Sequence, residues 1–119
     1  MIGEVKQLNL RMIRGDTKSF TIKITETNDL GEKETVPFND GDTVYFTVRN
    51  DINQTTPDIA KEITSFTTDG TAILILEPND TADLDVDIYQ YDFQWNKGNG
   101  DVYTFLMGTL MIMAGVTRE

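Results

Sequence analysis

Apolar and polar residues alternate with a period of two along most of the chain. Leu8, Leu10 and Met12 alternate with polar neighbours before Arg14-Gly15-Asp16-Thr17, which supplies turn chemistry. Phe20, Ile22 and Ile24 alternate with Thr21, Lys23 and Thr25, the pattern of a half-buried strand. Glu26 to Asn39 is polar, holds Gly31 and Pro37, and reads as a long loop or a weak edge strand. Asn39-Asp40-Gly41-Asp42 then turns the chain into a new alternation at Val44, Phe46 and Val48. After a polar connection from Asp51 to Asp58, Ile59 to Phe66 makes a weaker strand, closed by Thr68-Asp69-Gly70.

Thr71 to Leu76 is apolar at both parities, which predicts a central strand covered on both sides. Pro78-Asn79-Asp80-Thr81 stops it, and Asn79 or Asp80 is placed to cap one helical turn over 79–84. Tyr89, Tyr91, Phe93 and Trp95 share one parity while Gln90, Asp92 and Gln94 share the other. Lys97-Gly98-Asn99-Gly100 forms a hairpin, and Val102 to Val116 is the last strand. No segment of helical length carries a 3.6-residue period. Short strands separated by frequent turns predict an all-β fold, an immunoglobulin-like antiparallel β-sandwich of about seven strands. One domain spans 1–119, with one short helical turn near 79–84 and no linker or internal repeat.

Composition removes most chemistry. The 119 residues contain no Cys, so neither disulfides nor thiol nucleophiles are available, and no His, the usual general base and metal ligand. A net charge of −10 opposes binding to nucleic-acid phosphates and to anionic membrane surfaces. The first seventeen residues hold no signal-peptide apolar run, and no stretch reaches membrane-spanning length. The expectation is synthesis and folding in a reducing cytoplasm, with no catalytic residues, no cofactor, no nucleic-acid partner and no membrane partner.

The remaining constellations each have a plain alternative. Arg14-Gly15-Asp16 matches an integrin-binding tripeptide, but a Gly-Asp turn is needed there anyway. Asp83, Asp85 and Asp87 offer hard oxygen ligands for Ca²⁺, but without the glycine turn and closing glutamate of an EF-hand loop, so a solvated acidic corner is the favoured reading. Asn39-Asp40-Gly41-Asp42 is a similar partial match. The stripe Tyr89, Tyr91, Phe93 and Trp95, with Tyr45 and Tyr103, makes either a carbohydrate-stacking or adhesive surface or a core stripe; strict alternation favours core.

The last strand is the anomaly. Val102, Leu106, Leu110, Ile112, Ala114 and Val116 occupy one parity, and Tyr103, Phe105, Met107, Met111 and Met113 the other. Gly108 suggests a bulge that exchanges the faces, yet either way large apolar groups remain outside. Leu106, Met107, Met111 and Met113 are therefore the candidate partner-binding residues, unless a loop such as Asp29 to Asn39 covers them.

Arg14-Gly15-Asp16-Thr17 leads into Phe20-Thr21-Ile22-Lys23-Ile24, and Gly41 to Arg49 forms a second motif. Thr71 to Leu76 with Asn79-Asp80-Thr81 is a third, followed by Tyr89-Gln90-Tyr91-Asp92-Phe93-Gln94 and the closing run from Gly108 to Val116-Thr117-Arg118. In order and spacing these resemble the N-terminal immunoglobulin-like domain of phage baseplate upper proteins, over nearly the whole chain. Asp87-Ile88 departs from the family, which usually places a Gly before its Tyr-x-Tyr-Asp strand. Family members commonly continue into fibre or receptor-facing regions; ending at Glu119, this chain is expected to be a standalone module. The resemblance implies a non-enzymatic virion structural protein of a phage or prophage, made in the bacterial host cytoplasm. Its partners would be other tail or baseplate proteins and copies of itself.

Overall fold

A computed structural model describes residues 6–116; the first five residues and Thr117, Arg118 and Glu119 lie outside it, including the end of the closing motif. Alternation translates directly into strands. In order these are β1 (Lys6–Gln7), β2 (Leu10–Ile13), β3 (Lys18–Ile22), β4 (Ile24–Thr27), β5 (Lys33–Val36), β6 (Thr43–Arg49), β7 (Ile59–Ile63) and β8 (Ala72–Leu76). The helical turn α1 (Pro78–Thr81), β9 (Asp87–Asn96) and β10 (Val102–Met113) complete the fold.

The larger sheet runs β1-β10-β9-β6-β7, with β2 also on β10. Its β9, β6 and β7 neighbours are antiparallel, whereas β1 and β2 run parallel to β10, so the sheet is mixed at its N-terminal edge. Facing it are β3 paired with β8 and β4 paired with β5. The inner faces meet in one core, formed by Val44, Phe46 and Val48 of β6, the β9 stripe, and Leu110 and Ile112 of β10. Ile22, Ala72, Leu74 and Leu76 close it from the second layer. The result is an all-β sandwich. Within it the Tyr89 hydroxyl donates to the Asp85 carbonyl at 2.8 Å, four residues upstream, as in a tyrosine corner.

Several expectations are corrected. Ten strand segments occur among the described residues because the first edge breaks at Leu8-Asn9, the next pass breaks at Lys23, and 26–39 contributes β5. That segment folds onto β4 as a hairpin, and its Phe38 meets Phe105 of β10 from the core side, ring centroids 6.0 Å apart. Strand β8 is not covered on both sides. Among the described residues it pairs with β3 alone, and Ile73 and Ile75 are each 47% exposed. The helical turn begins one residue early, after Glu77, and Asp80 serves within it by accepting the Glu77 N–H at 2.7 Å.

The face exchange in β10 lies at Phe105, where the register against β9 slips between Thr104 and Leu106, rather than at Gly108. Gly108 answers a different need: a Cβ there would land on the Leu8 carbonyl oxygen. The same oxygen accepts the Tyr91 hydroxyl at 2.6 Å, so Gly108 permits the close approach of the kink between β1 and β2.

Candidate docking face on the β10 edge

The Phe105 slip turns the parity of β10 over. Phe105 is buried before it, and Leu110 and Ile112 are buried after it. Met107 and Met111 consequently lie outward, 41% and 38% exposed, and Met113 is half-buried at the same parity. Leu106 packs against the core instead. The four sequence candidates therefore divide into two exposed methionines, one half-buried methionine and one leucine turned inward.

Cross-strand register supplies neighbours that sequence reasoning missed. Met111 stands between Arg11 of β2 and Ile88 of β9, and Ile88 is half exposed. Met113 pairs with the half-buried Ile13. Met107 pairs with Asp92, and Thr109 between the two exposed methionines holds Asn9 Oδ1 through its hydroxyl at 3.0 Å. The available signal was Ile88, an apolar residue at the otherwise polar parity of β9.

Asp92 is the acidic group beside Met107, as Arg11 is the basic one beside Met111. Partial burial raises the Asp92 pKa above the ordinary carboxylate value, and the Arg49 guanidinium only partly offsets that. Arg49 is itself held by the Gln54 carbonyl, to which its Nε donates at 3.2 Å. Flexible methionines beside a partly buried carboxylate make an adaptable surface of the kind that can dock a partner.

The other candidates resolve as structural parts. Tyr89, Tyr91, Phe93 and Trp95 are all buried, while Tyr45 and Tyr103 are half-buried. The Arg14-Gly15-Asp16 turn is clasped from the other layer. The Gly15 N–H donates to Thr81 Oγ1 at 2.8 Å, and Arg14 Nη1 donates to the Leu84 carbonyl at 3.2 Å. Among the described residues no group of three or more acidic side chains is arranged to hold a metal ion. Asp87 instead accepts the Ile88 N–H and the Asn50 side-chain amide, which lower its pKa.

Asp42, in the Asn39-Asp40-Gly41-Asp42 turn, is buried as a three-way acceptor. It takes the Asn39 N–H at 2.9 Å, the Trp95 indole N–H at 3.0 Å and the Gly98 N–H at 2.9 Å. No model of a known protein family matches the chain, and no curated protein does.

Proposed function

We propose that this chain is a non-enzymatic structural module of a phage or prophage virion that docks onto neighbouring tail or baseplate proteins. The supporting observation is the outward pair Met107 and Met111, flanked by Ile88, on a strand whose other face is already core. Burying each such side chain contributes about 1.5–3 kcal/mol before the costs of association. The phage assignment rests on the order of sequence motifs described above. A net charge of −10 keeps free subunits soluble and steers them toward basic partner surfaces in a salt-sensitive way. Self-association through the same strip is the homotypic form of this reading.

The test is co-expression with the proteins encoded beside it, comparing the natural chain with a Met107→Glu, Met111→Glu double variant. Co-purification of the natural chain with a tail or baseplate protein, lost in a variant that still melts cooperatively, is the expected result. A variant that fails to fold would make those methionines core. Neighbouring genes unrelated to tails would remove the virion assignment.

A further inference from the structure

Both layers end in an edge strand at the side away from β10. Among the described residues the larger sheet ends there at β7, which pairs only with β6, and the second layer ends at β8, which pairs only with β3. Residues 64–71 between them contain a tight turn, with the Gly70 N–H on the Thr67 carbonyl at 2.9 Å, and no strand. A cleft of about 320 Å³ results, lined on one side by Lys61 to Ser65 and on the other by Ile73, Leu74 and Ile75.

Exposed sheet edges are ordinarily protected by charge, proline or a bulge. Strand β8 reads Ala-Ile-Leu-Ile-Leu and has none of these. The charge left uncompensated around the cleft is acidic. Lys61 is neutralised by Asp80, whose carboxylate lies 2.8 Å from its ammonium, whereas exposed Glu62 has no ion-pair partner among the described residues. Glu77 follows at the end of β8.

We propose that this cleft receives an extended segment of a partner protein, alternating apolar and basic residues, which adds as a strand to the open edge of β8. Main-chain hydrogen bonds supply the affinity of such strand addition, and side-chain neighbours supply its specificity. The added strand's side chains at one parity meet Ile63 and Leu74, and those at the other lie beside Ile73 and Ile75. A Lys or Arg reaches Glu62. A second copy of this chain is the poorer occupant, because its β8 carries no cation and its net charge is also −10. The site is at the sheet edge opposite the β10 strip, so it stands or falls independently of the docking face proposed above.

The probe is an end-blocked peptide of about seven residues alternating Lys and Val, enough to span β8 with a residue beyond each end. Its control is the same peptide with Glu for Lys. Both are titrated into the intact chain, with amide exchange read residue by residue. The Lys peptide should slow exchange across 72–76, and the Glu peptide should not. Glu62→Lys should weaken the Lys peptide about tenfold or more, as removing and reversing a facing charge does. Ile75→Lys, at an exposed position, should abolish binding with an unchanged melt, while Met107→Glu with Met111→Glu should leave binding intact. Equal binding of both peptides, protection confined to other edges, or no protection at millimolar Lys peptide would overturn the proposal. Concentration-dependent dimerisation abolished by Ile75→Lys would replace the basic partner with a second copy.

Discussion

Trp95 donates its indole N–H to Asp42 Oδ2 at 3.0 Å, joining the start of β6 to the end of β9 beneath the Lys97 hairpin. This bond lets a tryptophan be fully buried without an orphan donor. It also lets a carboxylate be buried, because two backbone N–H groups join the indole so that both carboxylate oxygens accept hydrogen bonds.

Asp42→Asn should therefore lower unfolding stability by about 2–4 kcal/mol, since the neutral amide cannot replace three charge-assisted bonds and its NH₂ faces donors. Burial alone would raise the Asp42 pKa, but the N–H groups of Asn39, Gly98 and Trp95 outweigh it, so the folded value lies below the ordinary 3.8. An acid with a depressed folded pKa stabilises the fold above its unfolded pKa and loses that contribution as pH falls through the folded value. Urea unfolding followed by Trp95 emission should show the gap between the two proteins shrinking below about pH 4. A constant gap down to the acid limit would contradict a charged Asp42.

Asp92 carries the opposite sign. Burial raises its folded pKa, so its contribution is greatest below the unfolded value and is lost as pH rises through the folded one. At neutral pH its charge is a cost to the fold. Asp92→Asn should then stabilise the chain at pH 7, by less than about 1 kcal/mol because the group is still partly solvated. The advantage should vanish under acid conditions. A less stable variant at pH 7 would mean that attraction to Arg49 exceeds the desolvation cost. A costly charge beside Met107 is the kind of feature that function, rather than stability, retains.

Period-two alternation made most of this fold readable: the β6 and β9 faces follow directly from Val44-Phe46-Val48 and Tyr89-Tyr91-Phe93-Trp95. What was hidden depends on relationships between strands. Ile73 and Ile75 look like core in sequence because an apolar run does not reveal whether a neighbour exists on its far side. The Phe105 slip carries no local signature, since either parity of β10 offers large apolar residues, and this reversed the orientation of Leu106. Gly108 stands out in the sequence, but its reason lies about a hundred positions away at Leu8, a distance that no local pattern crosses.

Gly108→Ala tests that contact directly. The added methyl would meet backbone, which cannot rotate aside, so about 1–3 kcal/mol of destabilisation is expected from overpacking. The damage should be local in its first signs. The Leu8 N–H donates to the Met107 carbonyl at 3.0 Å, and its exchange should accelerate before that of the central β9 amides. Uniform acceleration across the sheet would show that the N-terminal edge is integral to the cooperative unit.

Tyr89 and Tyr91 provide the alkaline counterpart. Burial raises the Tyr89 pKa above 10.0, helped by the nearby charges of Asp58, Asp85 and Asp87, and burial raises that of Tyr91. Both hydroxyls donate to backbone carbonyls, bonds that a phenolate cannot make. Their stabilising contribution is complete below the unfolded pKa and is lost as pH rises through the folded values. Ultraviolet titration should therefore show two phenols resisting ionisation beyond the ordinary range and then ionising together with loss of the Trp95 signal. Iodide, added below that transition, should barely quench Trp95, which is 1% exposed. Strong quenching with early ionisation would place the β9 rings in water, and a ring-stacking surface would then displace the core stripe as the account of that strand.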